Sequence, residues 1–481
     1  MLDFDSCYRA VAARDVRFDG RFFTAVTSTG IYCRPVCPAR TPARRNVRFY
    51  ADAAAAEAAG FRPCKRCRPE ACPGSARWDF RGDLVRRALR LIEDGVVDEH
   101  GVRGLAARLA VTERHLHRLF VAEIGASPKA VARSRRLRLA RRLLRETSMP
   151  VTDVAFAAGF GSVRQFNATM RQVYGQTPSQ LRGPRPSQGS VLELRLAVRP
   201  PFDAAGLLEF LAARAIPGVE EVTAGRYARS GPGPYVIELL PRDTHVLLRA
   251  GAPDLRDIAR LVTRCRRLLD LDADPYAVRE VLDRDPLLAP LVARRPGLRV
   301  PGSFDGFEMA VRAVLGQQVS VAAARTLAGR LVERCGEPLP QPVGTVTHRF
   351  PSAAAVADAD LSGLGLTGAR ERTLRALAAA VASGDLDLNG GADPAETTGR
   401  LLALPGVGPW TAAYLSMRAL GDPDAFPAAD LGLRNAVHTL TGSVPTAREL
   451  TERAESWRPW RAYAVMHLWT SPSTRTLEKA S

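Results

Sequence analysis

The most informative stretch of the sequence is Leu404-Pro-Gly-Val-Gly-Pro-Trp-Thr-Ala-Ala-Tyr414. Two glycines flank one apolar residue, and Pro409 follows at a position typical of the first turn of a helix. This pattern predicts a tight turn between two helices, in which backbone N–H groups and a helix N-terminus face one phosphate group without any side-chain charge. A plain glycine-rich connection between two helices is the alternative.

A carboxylate follows this hairpin. Asp430 comes after Ala425-Phe-Pro-Ala-Ala429 and before Leu431-Gly-Leu-Arg-Asn-Ala-Val-His438, a position that predicts the start of a helix. It would place the carboxylate over the DNA face of the hairpin, and an ordinary helix N-cap is the alternative. Together with Gly316-Gln-Gln-Val-Ser320, the order and spacing resemble the AlkA family of 3-methyladenine DNA glycosylases over about residues 190–475.

The resemblance implies roles for individual residues. Asp430 is then the catalytic carboxylate, and Trp410, Tyr414 and Trp469 lie where their counterparts line the base pocket of the family. The residues that the resemblance places against DNA are Gln317, Gln318, Gly406 and Gly408. Because the best-known family member has an apolar wedge at the position of Gln318, it stays open whether Gln318 fills the gap left by a flipped base.

The chemistry of alkylated purines suits these residue types. An N-alkylated purine carries positive charge, so it leaves readily and stacks on electron-rich rings with about 0.5 to 2 kcal/mol per contact. An ionised Asp430 would stabilise an oxocarbenium-like sugar and could orient the attacking water. Related glycosylases that also cut the backbone have a Schiff-base lysine where this chain has Trp410, and no cysteine follows Cys335 to hold an iron–sulfur cluster. We therefore expect a monofunctional glycosylase.

The segment before the hairpin domain has the sequence pattern of β-strands. Residues 192–198 alternate apolar and polar side chains like a half-buried strand, and residues 235–240 and 245–249 predict a strand hairpin around Pro241-Arg-Asp-Thr244. We expect an α+β domain over residues 191–298 and an all-α helix-hairpin-helix domain over residues 299–475. Residues 183–190 are rich in Pro, Gly and Ser and predict a linker.

Residues 77–182 contain an internal repeat. The segment from Leu105 to Pro128 matches the segment from Val154 to Pro178, and each copy predicts a short helix, a tight turn and a second helix. The side chains that the second helices keep off their apolar faces, free to enter a major groove, are Arg114, His115, Arg118, Arg164, Gln165 and Asn167. The pattern predicts an all-α double helix-turn-helix domain, and a helical bundle with a basic solvated face is the alternative.

The connecting helix of this domain, at about residues 129–146, is unusually rich in arginine. We expect its arginines to be too dense for solvation alone to explain them: Arg133, Arg135, Arg136, Arg138, Arg141, Arg142 and Arg145.

Two cysteine pairs lie near the start of the chain, in Ile31-Tyr-Cys-Arg-Pro-Val-Cys-Pro38 and Arg62-Pro-Cys-Lys-Arg-Cys-Arg-Pro69. A CxxxC and a CxxC separated by about one small β-meander predict a tetrahedral Zn²⁺ site with four thiolate ligands, Cys33, Cys37, Cys64 and Cys67. Disulfides are the alternative, which is disfavoured because no secretory leader precedes the cysteines. We expect a small α+β zinc domain over residues 1–76.

The front of the chain also resembles known families. The double helix-turn-helix resembles AraC-type transcription activators, and Thr29-Gly-Ile-Tyr-Cys-Arg-Pro-Val-Cys-Pro-Ala-Arg40, Asn46-Val-Arg-Phe-Tyr50 and Ala59-Gly-Phe-Arg-Pro-Cys-Lys-Arg-Cys67 follow the pattern of the Ada family of adaptive-response regulators. This resemblance covers about residues 1–182. It implies that Cys33 accepts a methyl group from a DNA methylphosphotriester, and that the partners are double-stranded and methylated DNA and, during activation, RNA polymerase.

Charge is distributed unevenly along the 481 residues. The formal net charge is +18, and residues 1–190 hold 34 Lys and Arg against 17 Asp and Glu, whereas the remainder holds 34 against 33. We expect the front half to bind phosphates over a broad surface and the rear half to contact DNA locally. No apolar run is long enough to span a bilayer, so we expect a cytoplasmic, nucleoid-associated protein.

The sequence thus predicts an alkylation-repair glycosylase joined to a regulator that accepts methyl groups. The alternative is a non-enzymatic DNA-binding regulator with a structural zinc site. Excision of 3-methyladenine separates the two.

Overall fold

The computed structural model describes residues 3–73, 83–182, 191–251, 253–389 and 391–471. The chain forms two compact units, of which unit 1 comprises Met1–Arg199 with Gly251–Thr263 and unit 2 comprises Pro200–Ala250 with Arg264–Ser481. The predicted linker at residues 183–190 and the predicted domain ends at residues 74–82 and 472–475 lie outside the described residues. Within the described chain, no helix is both long and apolar enough to cross a membrane.

Unit 1 begins with a small four-stranded sheet. Its elements are α1 (Phe4–Ala13), β1 (Phe23–Val26), β2 (Ile31–Cys33), β3 (Val47–Tyr50), α2 (Ala53–Ala58) and β4 (Arg62–Pro63), with strand order β3-β1-β2-β4. Phe23, Tyr32 and Phe61 are buried beside α2 and form its core. The prediction of a β-meander between the cysteine pairs is wrong, because this segment holds β3 and α2 and β4 pairs parallel to β2.

The rest of unit 1 is mainly helical, as predicted. The helices are α3 (Asp83–Glu93), α4 (Val96–Arg108), α5 (Glu113–Glu123), α6 (Pro128–Glu146), α7 (Val151–Ala157), α8 (Val163–Tyr174) and α9 (Pro178–Leu181). Thr112 and Ser162 cap α5 and α8 by accepting hydrogen bonds from backbone N–H groups three residues later. The predicted apolar positions Phe120 and Phe166 are fully buried, so both helix-turn-helix repeats are confirmed.

Strands form the first part of the rear half. The elements are β5 (Val191–Ala197), α10 (Ala204–Arg214), β6 (Glu220–Thr223), β7 (Arg226–Ser230), β8 (Val236–Pro241) and β9 (His245–Gly251). Strands β6 to β9 are antiparallel in the order β9-β8-β7-β6, and Leu239 of β8 lies opposite Leu248 of β9. The predicted hairpin around Pro241 is therefore confirmed, and β5 shows the predicted alternation of buried and exposed side chains.

Helices dominate the remainder of the chain. They are α11 (Ile258–Leu268), α12 (Pro275–Leu282), α13 (Ala289–Arg294), α14 (Gly306–Leu315), α15 (Val321–Cys335), α16 (Ala353–Asp358), α17 (Gly368–Ala382), α18 (Pro394–Leu402), α19 (Pro409–Arg418), α20 (Leu431–Thr441), α21 (Ala447–Ala454) and α22 (Arg461–Trp469). Helix α14 lies at the centre, where Ala310 and Val311 are fully buried in one core with Leu374 and Leu377 of α17. One hairpin, β10 (Glu337–Val343) and β11 (Val346–Arg349), interrupts the helical pattern that we expected after residue 301.

Candidate active site and metal centre

The glycine-rich hairpin connects α18 to α19. Gly406 has φ +76°, and a Cβ built on it would lie 2.2 Å from Thr373 Oγ1, so this position requires glycine. Gly408 is the N-cap of α19 with φ −98° and faces open space. In the described part of the chain, the N–H groups of Gly406 and Gly408 donate to no acceptor. Both groups are therefore available to an external anion.

The turn between α14 and α15 lies against this hairpin. Gln317 Nε2 donates to the Gly406 carbonyl oxygen (2.9 Å) and to Thr411 Oγ1 (3.0 Å), and Arg370 donates to the Gln317 carbonyl oxygen (2.6 Å). The side chain of Gln317 thus braces the hairpin. Gln318 is exposed and has φ +54°, a conformation that non-glycine residues rarely adopt outside special sites.

Asp430 is the N-cap of α20 and also the centre of a hydrogen-bond cluster. Its Oδ1 accepts hydrogen bonds from the Leu433 N–H (2.8 Å) and from Trp469 Nε1 (2.9 Å), and its Oδ2 accepts one from Trp410 Nε1 (2.7 Å). All three donors are uncharged, and the N-terminus of a helix favours a negative charge. The arrangement therefore fixes the carboxylate in one orientation without pairing it with a cation.

Three aromatic rings line the space beside this carboxylate. The Trp410 and Tyr414 rings stack with centroids 5.3 Å apart and 15° between their planes, and the Tyr414 and Trp469 rings lie 6.2 Å apart at 44°. All three residues are half-buried, as is Asp430. The structure thus brings together the four residues that the sequence suggested for catalysis and for the base pocket.

Other residues of this cluster were not found from the sequence. Arg418, 3 % exposed, donates from Nη1 to the Tyr414 hydroxyl (3.0 Å), and its guanidinium lies 4.9 Å from the centroid of the Phe210 ring. Gly432 faces the carboxylate, since a Cβ there would lie 3.0 Å from Asp430 Oδ1. Arg418 follows Tyr414 by one helical turn, a signal that could have been noticed, whereas Phe210 lies about 200 residues away and no motif marks it.

The four predicted zinc ligands converge. The sulfurs of Cys33, Cys37, Cys64 and Cys67 lie within 4.8 Å of one another, and a tetrahedral zinc ion with Zn–S bonds of 2.3 Å requires about 3.8 Å between sulfurs. Hydrogen bonding with Cys33 lowers the pKa of Cys37 to about 7, whereas hydrogen bonds with the other three cysteines raise the pKa of Cys33. Thiols this close need a cation to ionise together, so the donor set fits Zn²⁺.

Cys33 differs from the other ligands in its exposure. It is half-buried at the end of β2, whereas Cys37, Cys64 and Cys67 are buried. Next to it, Arg34 donates from Nε to Asp19 Oδ1 (2.8 Å), and its backbone N–H donates to Cys67 Sγ (3.3 Å). The exposed cations on neighbouring segments are Arg40, Arg44, Arg45, Arg48, Arg62, Lys65, Arg66 and Arg68. The four-cysteine site therefore lies on a strongly basic module.

The recognition helices present most of the predicted side chains to solvent. Arg114, Arg118, Arg164 and Gln165 are exposed, and His115 is half-buried with Nδ1 3.2 Å from an Arg118 nitrogen. These positions are compatible with contacts in a DNA groove.

The arginines of α6 behave differently from our expectation. Arg135 donates to Asp98 (2.7 Å), and the fully buried Arg141 lies 3.0 Å from Glu70 and 4.9 Å from the Tyr174 ring centroid. Several of these arginines are therefore internal partners of acids, which explains much of their density without DNA. Arg141 also joins the cysteine module to α8, because Glu70 follows the last zinc ligand closely.

Family models match successive segments of the chain. They are described as the metal binding domain of Ada (residues 6–70), a helix-turn-helix domain (residues 105–183), the AlkA N-terminal domain (residues 193–305) and the HhH-GPD superfamily base excision DNA repair protein (residues 311–462).

Known proteins match over most of the length. The chain is 51 % identical over 479 residues to a probable bifunctional transcriptional activator/DNA repair enzyme AlkA of Mycobacterium tuberculosis, covering 98 % of this chain and 96 % of that protein. It is 37 % identical to DNA-3-methyladenine glycosylase 2 of Escherichia coli, covering 56 % of this chain and 94 % of that protein. A 3-methyladenine DNA-glycosylase structure from Archaeoglobus fulgidus shares the fold, with a TM-score of 0.51 and 23 % identity, covering 57 % of this chain and 96 % of that one.

Proposed function

Since the chain belongs to the family of bifunctional transcriptional activator/DNA repair enzymes AlkA, we propose that its rear half hydrolyses the N-glycosidic bond of alkylated purines and that its front half accepts methyl groups on Cys33. The chain combines a DNA glycosylase with a zinc-binding DNA regulator. The site residues, the bases excised and the contacts during activation belong to the proposal.

One observation carries the glycosylase proposal: Asp430 is held by two indole N–H groups whose rings form a half-buried aromatic cluster with Tyr414. A flipped purine cation can stack on these rings. When the bond between C1′ and the base nitrogen breaks, its electron pair leaves with the base and positive charge develops on the sugar. We expect the Asp430 carboxylate to stabilise this charge and to orient the water that adds to C1′.

The test is base release from a methylated duplex by the wild-type chain and by Asp430→Asn. Asparagine keeps the N-cap of α20, so the fold should persist while the charge is lost. We expect 3-methyladenine release to fall at least 100-fold, about 2.7 kcal/mol in the barrier. Chromatography measures the free base, and a denaturing gel should show an intact backbone.

Three outcomes would contradict this reading. Release of 3-methyladenine by Asp430→Asn at the wild-type rate would remove this carboxylate from the mechanism. A complex trapped by borohydride, or strand cleavage without added alkali, would overturn the monofunctional assignment, since Trp410 has no amine to form a Schiff base. No release by the wild-type chain would favour the non-enzymatic alternative.

The half-buried position of Cys33 at the end of β2, beside three more buried ligands, supports the methyl-acceptor proposal. Bound zinc would keep the four sulfurs ionised at neutral pH. The Cys33 sulfur attacks the methyl carbon of a methylphosphotriester, the S–C bond forms, the C–O bond breaks, and the phosphodiester leaves with the electron pair. The transfer consumes one protein per methyl group because the thioether is stable.

Mass spectrometry of the chain after incubation with methylated DNA tests this assignment. We expect one added methyl group, on the peptide that contains Cys33. Cys335→Ala provides a control, because this half-buried cysteine lies outside the metal centre and its removal should not affect transfer. A methyl group on another cysteine, or none at all, would refute the role of Cys33.

Methylation should also tighten DNA binding. It removes one negative charge from a basic module, and a unit charge at a few ångströms is worth about 1 kcal/mol in water and about 4 kcal/mol at an intermediate dielectric. Affinity should rise roughly 10- to 1000-fold, at about 1.4 kcal/mol per factor of ten. Equal affinity of both forms for one promoter at matched low salt would refute the electrostatic switch. During activation on the nucleoid, we propose that the DNA-bound chain contacts RNA polymerase.

A further inference from the structure

The base pocket contains a buried cation that the proposed reaction does not use. Arg418 ends α19, and its Nε donates to the Pro301 carbonyl oxygen while its Nη1 donates to the Tyr414 hydroxyl (3.0 Å). Its guanidinium also lies 4.9 Å from the Phe210 ring centroid and 5.6 Å from the Tyr414 ring centroid. A backbone carbonyl, a phenol and two aromatic rings therefore hold the charge.

Arg418 has no acidic partner within the described residues. Arg229, another buried arginine of unit 2, is by contrast neutralised by Glu308 (2.6 Å). Glu220, which acts on Arg418 electrostatically, is already bonded to Arg312 and to Tyr227. Burial lowers the pKa of Arg418, but a guanidinium stays protonated in proteins. A buried charge without a counterion is costly, so its place beside the pocket calls for an explanation.

The hydrogen bond from Arg418 defines how Tyr414 can act. The phenol oxygen accepts from the guanidinium, so its own proton must point away from Arg418. Hydrogen bonds in a chain polarise one another, which makes a phenol that accepts from a cation a stronger donor. The Tyr414 ring lies between Trp410 and Trp469 in the aromatic cluster.

We propose that Arg418 is a positioning residue that makes the Tyr414 hydroxyl a hydrogen-bond donor to the flipped base, and thereby extends excision to uncharged damaged purines. The inference rests on the proposed glycosylase function. Cationic and uncharged purines need different stabilisation when the glycosidic bond breaks. A cationic purine becomes neutral when the glycosidic bond breaks, so it needs no donor and is repelled by a nearby guanidinium.

An uncharged purine must instead leave with the electron pair of the broken bond, so negative charge develops on its nitrogen and oxygen atoms. A donor backed by a buried positive charge stabilises that developing charge where water is excluded. The proton that finally neutralises the base comes from solvent water. Asp430 and Arg418 would thus act on opposite partners of the same bond, the sugar and the base.

The experiment compares two duplexes with the full-length chain, one methylated so that it releases 3-methyladenine and one carrying a single hypoxanthine as the uncharged probe. Single-turnover rates are measured for the wild type, Arg418→Met, Tyr414→Phe and the double variant. We expect hypoxanthine release to fall at least tenfold more than 3-methyladenine release in each single variant. The double variant should lose no more than the worse single variant, because both act through one hydrogen bond.

Each other result overturns the inference. An equal loss on both duplexes would make Arg418 merely structural, and unchanged hypoxanthine release by Tyr414→Phe would exclude the hydroxyl even if Arg418→Met failed to fold. Arg418→Lys, which keeps the charge, should recover part of the hypoxanthine rate, and no recovery would count against the charge. A wild type that releases 3-methyladenine but not hypoxanthine refutes this inference alone, whereas release of neither base refutes the proposed function.

Discussion

Asp430 shows how one residue can serve the fold and the chemistry together. As an N-cap it accepts the Leu433 N–H, and as the proposed catalytic carboxylate it is fixed by Trp410 and Trp469. The N-cap and the catalytic role were alternatives from the sequence, but the geometry makes them compatible. The cap sets the side-chain rotamer, and the two indoles fix the plane of the carboxylate.

Gly432 provides a test of how closely this carboxylate is packed. In Gly432→Ala the new methyl group would lie 3.0 Å from Asp430 Oδ1 and 3.6 Å from the Trp469 ring. We expect no gain in the free energy of unfolding, because the roughly 0.5 to 1 kcal/mol by which alanine favours a helix is offset when Oδ1 is displaced from its N-cap hydrogen bond, and excision should slow about tenfold. Thermal unfolding and single-turnover excision measure the two effects.

Gly399→Ala is the matched control, since Gly399 lies within α18 and nothing approaches its Cβ position. This variant should gain stability without losing excision. If Gly432→Ala excised the base at the wild-type rate, catalysis would tolerate displacement of the carboxylate.

His467 gives unit 2 a pH-dependent stability. It is 4 % exposed, and burial, with a smaller contribution from Arg295, lowers its pKa to about 4 from 6.5. Below pH 6.5 the unfolded chain binds a proton that the folded chain rejects, so stability is lost as the pH falls from about 6.5 to 4. This loss amounts to about 3 kcal/mol at 1.4 kcal/mol per pH unit.

The measurement is denaturant unfolding of the wild type and His467→Gln at pH 7 and pH 4.5. We expect the wild type to lose about 2 to 3 kcal/mol more than the variant over this interval. Taking the difference between the two chains cancels other groups, such as Asp270, whose pKa is raised to about 6 by burial. Parallel pH profiles would show that His467 does not titrate as inferred.

Residues at positions that the family resemblance marks could be predicted from the sequence, and residues outside its motifs could not. Trp410, Tyr414 and Asp430, which lie within 21 residues, and the more distant Trp469 were all assigned through that resemblance. Phe210 meets Arg418 only in the folded chain, and nothing in the sequence distinguishes this phenylalanine from an ordinary core residue. The internal role of Arg141 was hidden because its acidic partner Glu70 lies on another module.

At the scale of elements, periodicity and turn chemistry predicted the helices of the helix-turn-helix domain and the strands β5, β8 and β9, whereas β6 and β7 were not predicted. The hairpin β10–β11 was missed because Glu337-Pro-Leu-Pro-Gln-Pro-Val343 contains three prolines, which normally argue against a strand. The helix α2 between the cysteine pairs was missed because six residues are too few to show a helical period.

The glycine-rich hairpin contains two glycines with different functions. Gly406→Ala places a side chain at φ +76° and against Thr373 Oγ1, so we expect a loss of about 1 to 3 kcal/mol in unfolding free energy. Gly408→Ala has an ordinary φ and open space, so stability should change by less than about 0.5 kcal/mol while KM for excision rises. Denaturation and steady-state excision kinetics distinguish the two.

A double variant checks the cause assigned to Gly406. Thr373→Ala removes the hydroxyl that a side chain at position 406 would meet, so it should recover part of the stability lost in Gly406→Ala. Simple addition of the two losses would mean that backbone strain alone accounts for the effect. An unstable Gly408→Ala would contradict the division of roles between the glycines.

At the scale of the whole molecule, two modes of phosphate binding account for the uneven charge. Residues 1–190 carry a net charge of +17, whereas the remaining residues carry +1. Side-chain cations release counterions from DNA, but backbone N–H groups in a hairpin release few. The regulator should therefore bind DNA with a strong salt dependence, and the glycosylase should recognise its lesion with a weak one.

The final prediction concerns a triple variant of the recognition helices, Arg114→Ala, Arg118→Ala and Arg164→Ala. Each lost phosphate or groove contact should reduce the slope of log affinity against log salt by about 0.9, so the full-length variant should be shallower by up to about 2.7. Fluorescence anisotropy with one duplex from 50 to 200 mM salt measures the slope. Single-turnover excision at saturating protein should stay at the wild-type rate.

The matched control removes the same charge from the rear half, with Arg279→Ala, Arg284→Ala and Arg448→Ala. These three arginines are largely exposed and form only surface pairs with acids four residues away, so their loss should hardly affect stability. If net charge alone governed binding, both triple variants would flatten the slope equally. If binding depends on where the cations lie, only the recognition-helix variant will flatten it, because its side chains are the ones placed to meet the duplex.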